Sequence, residues 1–210
     1  MRRLPDTLCT GSPRRFLLIL VTTVPLLCGA AGATDWKVDK AHSSFGFSVS
    51  HLVISDVTGT FRDFSAEVTT EDEDFSTARV HVVVQTGSIY TENDKRDAHL
   101  RSDDFFGSEK FPEASFTSTG VVKVGGTDYI VRGNLTIRDS TRAVDLKAKL
   151  NGIINDPRGN RRAGFKITGQ VDRFGFGLKW NAATETGSLI AGERVTLTIN
   201  LELVAQKPKE

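Results

Sequence analysis

Strict alternation of apolar and polar residues constrains this chain more than any other feature. Phe45, Phe47 and Val49 are separated by Gly46, Ser48 and Ser50, and Val80, Val82 and Val84 alternate with His81 and Val83. Tyr129, Val131, Leu135 and Ile137 interleave with Arg132, Asn134, Thr136 and Arg138. Val144, Leu146, Ala148 and Leu150 face Asp145, Lys147 and Lys149, and Val195, Leu197, Ile199, Leu201 and Leu203 face Thr196, Thr198, Asn200 and Glu202. Period two gives each strand one apolar and one wet face. Repeated this often, it predicts an all-β fold of antiparallel strands, because parallel strands read as continuous apolar runs.

Turn residues punctuate the pattern at Gly125-Gly126-Thr127-Asp128, Asp156-Pro-Arg-Gly159 and, more briefly, Asp139-Ser-Thr141. The reading gives roughly eight strands. They cover 36–40, 43–51, 57–69, 78–87, 114–124, 128–139, 142–154 and 163–173, with 194–204 closing, while 174–180 either continues a strand or starts one. Sheets with one apolar face must bury it, and long consecutive hairpins favour closure into a barrel. A barrel of about eight strands is either just filled by its side chains or holds one small ligand. Gly133 and Gly169 on the apolar faces mark a barrel bend or room for something else.

Residues 91–106 do not alternate. Thr91 or Asn93 can cap a helix, acidic residues come early, and Ala98, Leu100 and Phe105 supply a weak apolar side, with a break expected near Ser102.

The first 33 residues belong to a different kind of segment. Arg2, Arg3, Arg14 and Arg15 precede the apolar run 16–28, and Ala31-Gly-Ala33 follows it. These are the parts of a cleaved signal peptide, and the apolar run is too short to span a bilayer. Cleavage after Ala33 is expected to leave a barrel domain over 34–210, periplasmic or extracellular. Lipidation at Cys28 is the alternative, opposed by Leu27 where such signals usually carry a small residue. Removing the leader takes four Arg and one Asp from 27 basic and 26 acidic residues, leaving 23 and 25 and a net charge of −2. That balance offers no footprint for nucleic acid. Both cysteines, Cys9 and Cys28, leave too, so no disulfide, thiolate nucleophile or Cys-bound metal is expected.

Particular blocks carry a resemblance. They are Trp36-Lys-Val-Asp39-Lys-Ala-His42-Ser43, Phe47-Ser-Val-Ser-His51-Leu, Gly59-Thr-Phe61, Arg96-Asp97-Ala-His99-Leu-Arg-Ser102-Asp-Asp-Phe-Phe106 and Lys110-Phe-Pro112-Glu-Ala-Ser-Phe116-Thr-Ser118. Further along come Gly133-Asn-Leu135-Thr136-Ile-Arg138, Arg162-Ala-Gly164-Phe165, Asp172-Arg173-Phe-Gly175-Phe and Gly192-Glu-Arg-Val195. In this order they resemble the YceI-like polyisoprenoid-binding family over nearly the whole chain after the leader. Asp139-Ser140 departs from the Gly and small apolar residue usual there. The resemblance implies an extended lipocalin-like antiparallel barrel of about eight strands with one helical flap, its apolar interior holding a long isoprenoid chain. It implies a periplasmic address and supplies no catalytic residue.

An isoprenoid tail needs a dry tube, since each buried methylene contributes about 0.8 kcal/mol. Alternation names the lining. Strands before residue 120 offer Phe45, Phe47, Val49, Val80, Val82, Val84 and Phe116. Later segments offer Val131, Leu135, Ile137, Leu146, Phe165, Ile167, Phe176 and Trp180. His51, Arg96, Asp97, His99 and Arg101 are the candidate polar residues of the mouth, although Arg96 and Asp97 would equally serve to pin the helix to the barrel. His42, His51, His81 and His99 match no metal-ligand spacing, and Arg158, Arg161 and Arg162 read as a solvated loop. The expectation is a non-catalytic carrier of a prenyl quinone or polyprenyl phosphate, without cofactor or metal. Its partners would be the lipid and, transiently, a membrane, with oligomeric state, a dimer included, left open. An enzyme acting on such a lipid through His51 or His99, and a structural protein with a filled barrel, are the alternatives.

Overall fold

A computed structural model describes residues 33–71, 74–181 and 190–206. Apart from Ala33, the expected leader lies outside the described residues. Every strand pairing is antiparallel, as the alternation predicts.

The chain forms β1 (Thr34–Val38), β2 (Ser44–His51), β3 (Ser55–Phe61), β4 (Phe64–Thr70), β5 (Arg79–Gln85), β6 (Ile89–Tyr90) and helix α1 (Asp94–Arg101). Then follow β7 (Glu113–Gly125), β8 (Asp128–Ile137), β9 (Ser140–Asn155), β10 (Arg161–Asp172) and β11 (Ala191–Ala205). Neighbours run β1-β4-β5-β7-β8-β9-β10-β11, and β11 pairs back with β1, closing an eight-stranded barrel. β2, β3 and β6 extend its wall at one end. β11 gives residues 203–205 to β1 and most of its earlier length to β2, so β1 and β2 share one barrel position.

The expected strand over 57–69 is broken at Arg62 and Asp63. Their amides donate to Ser88 O at 3.2 Å and Ser88 Oγ at 3.0 Å, and the Arg62 guanidinium lies 3.4 Å over the Tyr90 ring. The break lets β3 pair with β2 and β6 while β4 pairs with β1 and β5. The strand expected to reach residue 139 ends at Ile137, because Arg138 takes a left-handed φ of 56°. Residues 174–180 hold no strand: a short 3-10 turn, Arg173–Phe176, is capped by Asp172, whose Oδ1 accepts from the Phe174 amide at 2.9 Å. The helix is shorter than the 91–106 stretch. Asn93 caps it, accepting from Arg96 N at 3.0 Å, and Ser102 ends it as expected.

One end of the barrel is solid. Trp36 is buried, its Nε1 donating to Thr70 Oγ1 at 3.1 Å, and Phe75 wedges between Trp36 and Phe165 with ring centroids 5.1 and 4.9 Å away. Tyr129, Ala163 and Leu203 complete this plug. Outside it, Arg162 is not a solvated loop residue. It donates to Asp39 Oδ2 at 2.8 Å, Asp156 Oδ2 at 2.9 Å and Glu202 Oε1 at 2.6 Å, tying β1, the β9–β10 turn and β11 together. Asp156 also accepts from the Arg158 and Asn160 amides and so shapes the turn that carries Arg158.

Candidate functional site

The opposite end is hollow. A cavity of about 520 Å³ lies inside it, within the range typical of ligand sites, about 300–1,000 Å³. Its walls are the inward residues of the alternating strands: Phe47 and Val49 from β2, Val82 and Val84 from β5, Leu135 and Ile137 from β8, and Val144 and Leu146 from β9. Val195, Leu197 and Ile199 of β11 complete them. The roof is His99 and Leu100 of α1, then Phe105, Phe106, Leu178 and Trp180.

A waist separates this space from a cavity of about 80 Å³ beside the solid plug. Phe45, Val82, Phe116, Leu146 and Ile199 line both spaces. Gly133 and Gly169 are what permit the waist. A Cβ on Gly133 would overlap the Phe116 ring, and one on Gly169 would overlap Leu146 Cδ2. The room these glycines leave is taken by the protein's own side chains.

Of the fifteen residues expected to line a tube, ten face the large cavity: Phe45, Phe47, Val49, Val82, Val84, Phe116, Leu135, Ile137, Leu146 and Trp180. Val80, Val131, Phe165 and Ile167 face only the small one, beyond the waist. Phe176 faces neither and is buried in the 3-10 turn. Its segment is not a strand, so alternation says nothing about its direction. Val144, Val195, Leu197 and Ile199 also face the large cavity and follow the same period, though the sequence reading did not name them as lining.

The polar candidates on α1 divide by helix face, and His51 comes from the end of β2. His51, Arg96 and His99 line the cavity. Asp97 and Arg101, four residues apart on another face, do not belong to the mouth. Asp97 is buried and accepts from Thr91 N at 2.9 Å and Thr91 Oγ1 at 2.5 Å, while Arg101 Nη1 reaches the carbonyls of Gly87 and Ile89 at 3.3 and 3.4 Å. Both fasten α1 to the wall. Arg96 does some of each: it donates to Thr91 Oγ1 at 2.7 Å and Thr91 O at 2.6 Å and still borders the cavity.

His99 sits in the roof with its ring edge-on to Phe105 and Trp180 at 5.0 and 4.8 Å, and its Nε2 lies 2.9 Å from Asp104 Oδ2. His81 is exposed on the outer face with Nδ1 3.0 Å from Thr117 Oγ1. Sequence reasoning missed Arg173 altogether. Its side chain is buried at the hollow end and lines the cavity, donating to the carbonyls of Gly192, Leu178, Trp180 and Ala191. Burial pushes its pKa below the usual arginine value.

At the solid end, Asp39, His42 and Glu202 gather close enough to suggest a cation site. The Arg162 guanidinium already bonds both carboxylates, and His42 Nδ1 lies 3.0 Å from Asp39 Oδ2. The Arg162 and His42 hydrogen bonds lower the Asp39 pKa to about 2. The organic cation meets the charge that a metal would.

Comparisons with known proteins agree with this architecture. The sequence profile described as YceI-like domain matches residues 36–203. A UPF0312 protein of Enterobacter sp. (strain 638) is 38% identical, covering 92% of this chain and 98% of that relative. Protein YceI of Salmonella agona is 39% identical over 91% of this chain and 95% of its own. Among solved structures, a Campylobacter jejuni YCEI protein superposes with a TM-score of 0.65 at 32% identity, over 80% of this chain and 96% of that one. A polyisoprenoid binding domain from Saccharophagus degradans shares the fold, with a TM-score of 0.62 at 17% identity over 81% and 98% of the two chains. On the span of the profile match and the identity of the relatives, the chain belongs to the YceI-like family.

Proposed function

We propose that this protein is an exported, non-catalytic carrier of an amphiphilic polyisoprenoid, a prenyl quinone or polyprenyl phosphate, with the tail in the hollow half of the barrel. The observation that carries the reading is the apolar cavity of about 520 Å³, walled by strands and roofed by aromatic side chains. The fold shared with a polyisoprenoid binding domain supports it. Burying isoprenoid methylenes there supplies the affinity, at about 0.8 kcal/mol each. His51, Arg96 and His99 on the lining leave a polar place for the headgroup. Export follows from the leader, and mature protein should begin near Thr34; a diacylglycerol on Cys28 in the intact mass would reject that part. Contact with a bilayer during transfer fits the β2–β3 tip beside the mouth, where Val53 and Ile54 are 78% and 84% exposed.

The test is native mass spectrometry of protein purified without detergent. An isoprenoid should be recovered from wild type and lost from Leu135→Glu, whose carboxylate would lie in the cavity wall at a cost of several kcal/mol. Circular dichroism must show the variant folded. A folded Leu135→Glu protein that loads isoprenoid like wild type would overturn the reading. The His99–Asp104 contact favours one second reading, an acid–base enzyme on the same lipid. Incubating wild type and His99→Ala with prenyl lipids decides it: conversion lost in the variant, by about 10²–10⁴ in rate, would establish the enzyme.

A further inference from the structure

The hollow space is bounded below as well as above. Phe45, Val82, Phe116, Leu146 and Ile199 border both the large cavity and the small one, so a chain entering from the mouth meets this ring of side chains first. Two of the five are seated on glycines of the neighbouring strand. Phe116 of β7 lies against Gly133 of β8, and Leu146 of β9 lies against Gly169 of β10. Phe45 is held from the side by Phe64, with ring centroids 4.5 Å apart. All three are buried, and side chains packed at crystal-like density do not yield to an inserted chain without cost. Beyond them only about 80 Å³ remains, and Phe75 and Phe165 line its far side.

The depth above the waist follows from strand geometry. On β2 the lining runs from His51 at the mouth to Phe45 at the waist. At about 3.3 Å per residue and a barrel tilt of about 40°, that stretch descends about 15 Å. An extended isoprene unit advances about 5 Å, as four carbon–carbon bonds of about 1.5 Å laid in a zigzag. A straight tail therefore reaches the waist with its third unit. Carbons enclosed above the waist leave water and contribute affinity; carbons that find no room stay in water and contribute none.

We infer that the waist is a ruler for the tail, with Phe116 on Gly133 and Leu146 on Gly169 setting a ceiling of about three to four isoprene units. This rests on the carrier reading and narrows its ligands to short prenyl chains. Prenyl monophosphates of two to six isoprene units test it, with the matching alcohols as a second series, loaded onto delipidated mature protein and compared pairwise by native mass spectrometry. In wild type each added unit should improve affinity about tenfold or more up to the fourth, while the fifth and sixth should add less than about twofold. Phe116→Ala vacates the Gly133 seat and should return about tenfold to the five-unit tail, leaving the two-unit tail unchanged. Gly169→Ala sets a methyl against Leu146 Cδ2, the far end of a flexible side chain, and pushes it into the waist. It should weaken the four-unit tail several-fold and spare the two-unit tail. Circular dichroism confirms both folds, and Gly169→Ala carries the test alone where Phe116→Ala does not fold. Affinity that keeps climbing through the sixth unit overturns the ceiling and leaves the carrier standing. A ceiling that no folded variant moves overturns its placement at the waist. Failure of every tail in both series to bind rejects the carrier reading itself, and the ruler with it.

Discussion

The two halves of this barrel share most of their strands, yet one is solid and the other hollow. At the solid end Trp36, Phe75 and Phe165 interlock, and the remaining space is about 80 Å³. At the hollow end strands of the same composition enclose about 520 Å³. The difference lies in the caps. Phe75, from the segment between β4 and β5, turns its ring into the barrel, whereas α1 and residues 178–180 lay theirs across the opening as a roof. Strand alternation fixes which way a wall faces, and the connections decide whether the space behind it is filled.

Deleting packed atoms should expose this contrast most strongly. Trp36→Ala or Phe165→Ala removes a ring enclosed on all sides, and should cost about 3–5 kcal/mol. Leu197→Ala in the hollow wall takes atoms already facing space, so its cost should fall near or below about 2 kcal/mol. Urea midpoints at unchanged m-value measure both. Equal losses would mean that the ends are packed alike, and the comparison would break.

Charge gives a second, smaller contrast. The solid end is stapled by Arg162, which holds the Asp39 pKa at about 2 against 3.8 for a free side chain and keeps Asp156 low as well. A carboxylate whose folded pKa is depressed stabilises the fold above its unfolded value and loses that contribution as pH falls through the folded one. The urea midpoint should therefore drop between about pH 4 and pH 2. Arg162→Met leaves Asp39, Asp156 and Glu202 without their shared cation. It should lower the midpoint at neutral pH and flatten the acid limb. An acid limb identical to wild type would show that the cluster contributes nothing to closing this end.

How much of this could be read in the sequence follows from the same physics. The wall was legible because period two assigns faces, so Phe47, Val49, Leu135 and Ile137 point inward as expected. Phe176 was misplaced because the Asp172 cap starts a turn where a strand was expected to continue or to start. Asp97 and Arg101 were separable from Arg96 and His99 by helix period, a signal present but unused. Other features leave no local trace. Arg162 meets Asp39 across 123 residues, and an arginine among apolar neighbours, as Arg173 is, reads as surface until the carbonyls around it are seen. Nothing in an alternating pattern distinguishes a wall backed by Phe75 from one backed by empty space.

The smallest expected effect concerns the tip of the hollow end, where two consecutive non-glycine residues take a positive φ. Ile54 N donates to His51 O at 3.2 Å, closing a turn whose central residues Leu52 and Val53 have φ of 52° and 63°. Such turns favour Asn-Gly, and a β-branched residue there is strained by about 1–3 kcal/mol. Replacing both, Leu52→Asn with Val53→Gly, should relieve that strain and raise stability by about 1 kcal/mol, or about 2–4 °C in Tm for a chain of this size. The same change removes apolar side chains beside the mouth. If the tip touches a bilayer during transfer, the rate at which apo-protein extracts geranylgeranyl monophosphate from phosphatidylcholine vesicles should fall several-fold, while equilibrium affinity stays put. The two readouts then move in opposite directions, as expected where strain is retained for function rather than for folding. A stabilised variant that extracts lipid at the wild-type rate would remove the tip from transfer. A destabilised variant would show instead that Leu52 and Val53 pack usefully at this end, and that the strain argument is wrong.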